Sequence, residues 1–552
     1  MKKRKVKVIS LIIAIAVIIG TISAIGYAEF LENGEFNTNP PTHITPNSKV
    51  IGSIDNTDDR ECYMLDIEND GAFTVSLIHD NMFDLVKCGY YITVYKMVDK
   101  VNENGKTVKD YIEIAFFRSF WSKETDDGSV AQEIVSTSGE IGVSKGTYLI
   151  VVEPGTSILK YDFILQTAFT KSSVYEKEPN NTKETANEFS LGRAFYASST
   201  EYHDGTDIDW YKFTLTSDQC IELIFNHSDM KLPSAGWNIK LLNDNGDIIS
   251  EFRSMLSDTV NKTGSIGLRP GDYYIVVEAQ TVVVDTYSII LGYNDAVNSE
   301  FELNDTVETA TELPEGVTFT GSLTERLLDL DKDYYTFTLE NDSVIDIYFE
   351  HPEIEGDKDG WNITLYRMAE GELQQIVKKT SAWNSKGLGV EYLGLAAGEY
   401  YLSVDADAVW QNSTTYRLTW NYNSSENINK NTFETEPNGT VDTAEVIDFN
   451  TVYYGAIISS DVDFDEDYYK FTLDGETNVS LELGHDKLTD SGITWIANII
   501  DEEGNVVKVL ESSKNEGLVT IGVMTLKEGT YYIKLETGLY GSEIPYYFRM
   551  VR

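Results

Sequence analysis

The sequence predicts an all-β protein of four tandem antiparallel β-sandwich modules. Three observations predict it: landmarks that recur at fixed spacing, short runs alternating apolar and polar residues, and turn signals between those runs. The composition agrees: 552 residues with 40 glycines, 11 prolines and 34 tyrosines suit many short strands joined by turns. That length suits three to five domains, and 41% hydrophobic residues are enough to fill their cores.

The first landmark is E-x-E-[PL]-N, at "EKEPN" (Glu176–Asn180), "EFELN" (Glu300–Asn304) and "ETEPN" (Glu434–Asn438). The second is D-x-D-[WY]-Y-x-F-T-L, at Asp207–Leu215, Asp331–Leu339 and Asp465–Leu473. In all three copies 29 residues separate the second Glu from the first Asp: Glu178 to Asp207, Glu302 to Asp331, Glu436 to Asp465. A strand containing Trp237, Trp361 or Trp495 comes next, then a Gly-x-Tyr-Tyr strand at Gly271, Gly398 and Gly529, then a final strand opening on tyrosine. Residues 41–170 carry a weaker copy, with "DRECYMLDI", "GYYITVY", "GTYLIVVE" and "YDFILQT". The expected organisation is therefore a leader (1–28), a spacer (29–40) and modules at 41–170, 171–296, 297–430 and 431–552.

Each element follows from its period. "WYKFTL" and "YYIKLE" alternate, which buries one face of each strand. "NDNGD", "RPGD" and "DEEGN" are turns. Only short helical turns are expected, such as "TKETANEF" after the first E-x-E-P-N. The insertion Lys96–Asp127 in the first module is the one long unshared segment, and its "IAFFRSFW" suits a strand pair; exposed aromatics there would form a contact patch.

The N-terminus has the pattern of an export signal: basic "MKKRKVK", an apolar run, and Gly26-Tyr27-Ala28 before Glu29. The run is also long enough to remain as a membrane anchor if uncleaved. The formal charge is −47, and the five basic residues of the leader offset part of it, so the chain beyond carries about −52. Such a field excludes nucleic acid and anionic lipid as partners and favours cations and basic surfaces. Three cysteines, Cys62, Cys88 and Cys220, are too few for a disulfide framework; pairing of Cys62 with Cys88 stays open.

The order E-x-E-P-N, D-x-D-x-Y-x-F, G-x-Y-Y resembles the bacterial pre-peptidase C-terminal domain, a group that includes the collagen-binding domains of bacterial collagenases. The resemblance covers residues 171–552 well and 41–170 loosely. It implies jelly-roll-like sandwiches, secretion and Ca²⁺ bound by acidic residues of the opening segment and a later loop. The chemistry is consistent, because Ca²⁺ takes six to eight hard oxygens and loops at one end of a sandwich converge. The candidate ligands are Glu176, Glu178, Asn180, Asn181, Asp207 and Asp209 in the second module, and Glu300, Glu302, Asn304, Asp305, Asp331 and Asp333 in the third. The fourth offers Glu434, Glu436, Asn438, Asp465 and Asp467. Leu303 in place of proline and Gly439 in place of an oxygen donor depart from the pattern. The competing reading is turn chemistry: Pro179 and Pro437 shape a turn, and Thr182, Thr306 or Thr440 cap a helical turn without metal. The first module has Asp58, Asp59 and Glu61 but no E-x-E-P-N, and no site is expected there.

His79, His227, His351 and His485 fall in one register at a strand end, the last three 18 residues after the second Asp of D-x-D. Recurrence in every module suits a fold role, such as a ring hydrogen bond closing that strand. No zinc-protease, nucleophile-elbow or phosphate-loop motif occurs, and the repeats leave no length for a separate catalytic domain. The function expected is an exported, non-catalytic array that presents calcium-stabilised sandwiches to an extracellular protein or polysaccharide, collagen-like protein being one candidate. A structural spacer or surface-layer component, and then an extracellular hydrolase, are the alternatives.

Overall fold

The computed structural model describes residues 41–552 apart from 58, 83–86, 123–131, 158, 204, 282–284, 327–330, 357–358, 407–413, 459–464, 490 and 539–542. The expected leader and spacer, and Asp58, lie outside the described residues. The fold is all-β: strands paired into sandwich sheets, with three-residue 3₁₀ turns as the helical pieces among the described residues. Two compact units divide the chain. The first holds the described residues up to Ser217, with Glu222–Lys262 and Pro270–Tyr293; the second holds Asp218–Ile221, Thr263–Arg269 and Asn294–Arg552.

In the second unit, one five-stranded sheet runs Thr311–Glu312, Lys332–Leu339, Gly398–Ala406, Asp359–Ala369, Glu372–Ala382. Its four-stranded partner runs Phe319–Ser322, Thr415–Tyr422, Ser343–Glu350, Gly387–Leu395. The alternation of "KDYYTFTL" buries Asp333, Tyr335, Phe337 and Leu339 on one face. Residues of both sheets meet in one core with Phe349, Trp361, Tyr400 and Trp420. The same strand orders recur from Glu445–Val446 to Tyr546–Val551, and in the first unit from Asn187–Glu188 to Asp285–Asp295. The divergent copy contributes five strands, from Thr42–His43 to Thr107–Phe120, to a sheet that Glu201–Tyr202 and Gly205–Thr206 extend to seven.

The insertion is a long hairpin, Cys88–Val101 against Thr107–Phe120. Phe116, Phe117 and Trp121 are buried, so of the aromatics in "IAFFRSFW" only Phe120 is substantially exposed and no contact patch forms. Cys62 and Cys88 are both buried free thiols. The expected capping turns form: Thr182 and Thr306 receive and return hydrogen bonds with Thr185 and Thr309. Tyrosines of the G-x-Y strands close a corner, with Tyr148, Tyr400 and Tyr531 donating to the carbonyls of Ser144, Ala396 and Lys527.

The four registered histidines build one device. His351 Nδ1 lies 2.9 Å from the Pro352 carbonyl and Nε2 2.7 Å from Ser381 Oγ, with the ring centroid 4.0 Å from that of Trp361. A carbonyl can only accept, so Nδ1 carries the proton and Nε2 accepts from the serine hydroxyl. His227 with Ser254 and Trp237, and His485 with Ser512 and Trp495, repeat it. His79 uses Ser119, and its tryptophan, Trp121, is the residue that follows the second strand of the hairpin. Burial pushes His79 and His351 below the ordinary histidine range, in keeping with a neutral ring. Replacing His351 by alanine removes its hydrogen bond to the buried Ser381 hydroxyl, which keeps Ser385 Oγ at 2.8 Å, so a loss of about 0.5–1.5 kcal/mol is expected from that bond. In urea melts, His351→Ala and Ser381→Ala are each expected to destabilise, and the double variant to cost less than their sum.

Candidate metal centre

The second Asp of D-x-D points inward because strand alternation puts it on the face of the core tyrosine two residues on. The opening segment brings its glutamates to the same point by docking on a glycine. The amides of Glu178, Glu302 and Glu436 donate to the carbonyls of Gly142, Gly267 and Gly394 at 3.0, 2.9 and 2.9 Å. A Cβ at Gly142, Gly267 or Gly394 would meet Glu176, Glu300 or Glu434 at 2.2, 1.9 or 2.0 Å, so only glycine admits the approach. The following peptides, Glu178–Pro179, Glu302–Leu303 and Glu436–Pro437, are all cis, and Leu303 therefore shares the backbone path of the two prolines.

Three acidic clusters result: Glu176, Glu178 and Asp209; Glu300 and Glu302 with Asp333, Asp305 and Asp331; and Glu434, Glu436 and Asp467. In each group of three, one carboxylate oxygen per residue lies within 4.8 Å of the others. At that separation each like-charged pair costs about 3.5 kcal/mol at an effective dielectric near 20.

In the second sandwich, hydrogen bonds hold one side of each group and leave the other bare. Glu176 accepts from Ser198 N at 2.7 Å and Tyr211 Oη at 2.8 Å. Tyr287 donates to Asp209 Oδ2 at 2.5 Å and lies 2.6 Å from Tyr211 Oη. Asp207 Oδ2 accepts from Thr200 N and Glu178 Oε2 from Asn180 N. Glu178 Oε1, Asn180 Oδ1, Asn181 Oδ1, Asp207 Oδ1 and Asp209 Oδ1 are buried and accept nothing from the protein. Glu178, Asn180, Asp207 and Asp209 are all 0% exposed. Buried oxygens left bare in this number are unusual, and hard oxygens are the donor set of a divalent cation such as Ca²⁺.

The fourth sandwich repeats the frame. Glu434 accepts from Ala456 N at 2.6 Å and Tyr469 Oη at 2.7 Å; Tyr546 Oη lies 2.9 Å from Glu434 Oε2 and donates its one proton to the nearer Asp467 Oδ2 at 2.5 Å. Asp465 Oδ2 accepts from Ile458 N. Glu436 Oε1, Asn438 Oδ1 and Asp467 Oδ1 are the bare oxygens. Gly439, which offers no side-chain donor, lines a cavity of about 400 Å³ together with Glu436, Asp465 and Gln375, which opens this site to solvent. The residues of the second and fourth sandwiches thus fit a divalent ion.

The third sandwich keeps the frame and adds a cation. Glu300 accepts from Ser322 N and Tyr335, while Tyr416 Oη lies 3.1 Å from Glu300 Oε2 and donates its one proton to the nearer Asp333 Oδ2 at 2.5 Å. Asn304 Nδ2 lies 3.4 Å from Glu300 Oε2. Arg326 enters this cluster, with Nη2 2.9 Å from Asp331 Oδ1 and 3.7 Å from Glu302 Oε2, and Nη1 3.0 Å from Asp305 Oδ2.

Burial raises Glu176, Glu178, Asp207 and Asp209 and their counterparts in the other two sandwiches, and for Glu178, Asp209, Glu302, Asp333, Glu436 and Asp467 neighbouring carboxylates add to it. Glu176 is pushed up to about 8 by burial and then by Asp207. Burial also lifts Asp207 to about 6 and Asp465 to about 7. Asp331 reaches about 7 from burial, with Arg326 pulling it back down. The tyrosine pairs were legible in the sequence only as landmarks, although Tyr211, Tyr335 and Tyr469 belong to the D-x-D motif itself. Arg326 lies between the two motifs, and only alignment of the seven-residue step Thr200–Asp207, Thr324–Asp331, Ile458–Asp465 exposes it, opposite Tyr202.

The fold and these clusters define a chain of tandem β-sandwiches with buried acidic sites at its opening segments. No protein-family model matches it. Similar solved structures include the pre-peptidase C-terminal domain of collagenase from Bacillus anthracis, with 19% identity over 20% of this chain and 99% of that one, TM-score 0.17. The CBM22-1–CBM22-2 tandem of Paenibacillus barcinonensis Xyn10C aligns at 12% identity over 42% and 82%, TM-score 0.13. The M60 catalytic domain of Clostridium perfringens ZmpB with CBM51-1 and CBM51-2 aligns at 9% over 62% and 55%, TM-score 0.15. Among the described residues no helix is long and apolar enough to cross a membrane.

The raised carboxylates give a pH dependence of definite sign. A group whose folded value is raised contributes stability fully below its unfolded value and loses it as pH rises through the folded one. With divalent ions chelated, melting temperature is expected to fall as pH rises from about 5, through Asp207 at about 6 and Glu176 at about 8. Thermal melts in EDTA across that range check it, and a flat profile would contradict the electrostatic frame.

Proposed function

We propose that the chain is an exported, non-catalytic array of pre-peptidase-C-terminal-like modules that binds an extracellular polymer and is stabilised by Ca²⁺. The observation that carries this is the set of bare, buried oxygens on Glu178, Asn180, Asp207 and Asp209. Such oxygens arranged for chemistry would need an open cleft, whereas those of the second sandwich, all on residues 0% exposed, close a junction. Lys96 of the first sandwich donates to the Glu178 carbonyl at 2.7 Å, and Glu201 pairs with Phe116 of the hairpin. In the second unit Glu436 docks on Gly394. A cation at either place ties a module's opening segment, its D-x-D loop and the preceding sandwich together, which suits a stiff array more than a turnover site.

The binding surface favoured is the outer edge of the last sandwich. Strands Val506–Ser513 and Leu518–Leu526 are sheet edges, and Val506, Val507, Val509, Leu518 and Val523 are exposed on them. Exposed apolar side chains grouped along this edge offer a contact surface, and a fibrous protein such as collagen is the first ligand class to test and cell-wall glycan the second.

Two measurements test the reading. Ca²⁺ at one hundred times its dissociation constant is expected to stabilise a binding module by about 2.7 kcal/mol, so melting temperature rises and EDTA reverses it. Identical melts with Ca²⁺ and EDTA would remove calcium from the proposal. Fibrillar collagen and purified cell-wall glycan, each as solid phase, are expected to retain the full chain with Ca²⁺, and Leu518→Asp with Val523→Asp to reduce retention at least tenfold. Retention by neither phase would leave the spacer reading.

A further inference from the structure

The three acidic frames differ at one register position, two residues after the step that caps the first Asp of D-x-D. Tyr202 stands there in the second module and Arg326 in the third; in the fourth the sequence places Ser460, outside the described residues. Tyr202 Oη lies 3.4 Å from Glu178 Oε2 and brings no charge. Arg326 brings a full positive charge to the atoms that face the centre. Asp207 Oδ1 accepts nothing from the protein, whereas its counterpart Asp331 Oδ1 lies 2.9 Å from Arg326 Nη2. The same nitrogen stands 3.7 Å from Glu302 Oε2, and the Arg326 side chain is only 10% exposed. Asp305, at the position of Asn181, turns Oδ2 toward the other guanidinium nitrogen at 3.0 Å.

We propose that Arg326 is a built-in cation that fills the acidic centre of the third sandwich, so that this sandwich takes no divalent ion while the second and fourth take one each. The proposal rests on the calcium reading above. The geometry excludes both cations together: Ca²⁺ ligated by Asp331 Oδ1 at 2.3–2.6 Å would stand against a guanidinium nitrogen already in contact with that oxygen. Arginine suits the place because its planar fork reaches two carboxylates at once and stays charged when buried. The departure of this module from the other two is therefore one of cation source, and its frame of Glu300, Tyr335, Tyr416 and Asp333 is retained.

The test counts ions on the full chain. Protein stripped with EDTA is dialysed against Ca²⁺, and bound calcium is measured by atomic emission. Two ions per chain are expected for the unaltered protein, and three for Arg326→Ser. The Arg326→Ser protein is expected to melt lower than the parent in EDTA and to recover with Ca²⁺. Asp209→Asn combined with Asp467→Asn is expected to bind none, a result independent of whether Arg326→Ser folds. Three ions on the unaltered chain, one ion on the Asp209→Asn/Asp467→Asn variant, or two on folded Arg326→Ser would each overturn the role of Arg326 while leaving calcium binding intact. No calcium on the unaltered chain would instead remove the calcium reading and this inference with it.

Discussion

The constraint on which the structure turns is the gathering of like charges away from water. Three carboxylates within 4.8 Å, at 0–9% exposure, repel one another and lack the solvent that would screen them. They are brought together by backbone events that have no alternative: a D-x-D strand must put its second Asp on the core face, and the opening segment must pass over a glycine. Either the carboxylates keep their protons or a cation answers them. Proton retention accounts for the raised values, and a cation accounts for the bare oxygens, which a protonated carboxyl group would turn toward an acceptor.

What surrounds the charges serves to keep them in place. In each of the three frames one tyrosine of the D-x-D strand and one of the last strand stand hydroxyl to hydroxyl, 2.6–2.7 Å apart, and divide their donated protons between the first Glu and the second Asp. The histidine unit is separate from this frame and does a different task. It closes a strand end against a tryptophan face, its Nδ1 facing a backbone carbonyl, and it recurs in the first sandwich, which has no E-x-E-P-N. The acidic frame is thus an addition to a sandwich that already has its own means of closure.

Most of the fold was legible because each device left a mark at fixed spacing. The period of two in "KDYYTFTL" located the core face, the 29-residue step located the module, and the histidine register identified a repeated structural role. What escaped was whatever lay outside a repeated position. Trp121 reaches His79 from just past the end of the second hairpin strand, so a search for the Trp-containing strand in the divergent copy misses it. The serine partners sit on another strand, at separations of 27 residues in two copies, 30 in the third and 40 in the first. Arg326 escaped for the opposite reason: it stands where the copies differ, and a repeat search discards differences.

That difference carries the most chemical information in the chain. Three copies of one frame hold the backbone, the tyrosine pair and the glutamates constant, so the residue opposite Tyr202 becomes the variable that sets the charge balance. A neutral phenol leaves Asp207 Oδ1 bare, and a guanidinium engages the equivalent oxygen of Asp331. A frame answered by arginine carries its cation at any external concentration. On the calcium reading proposed above, a frame with bare oxygens is completed only where the surrounding medium supplies a divalent ion, and the degree of completion follows that supply. Mixing the two kinds in one chain would then make only some modules respond to the medium, according to a single side chain per module.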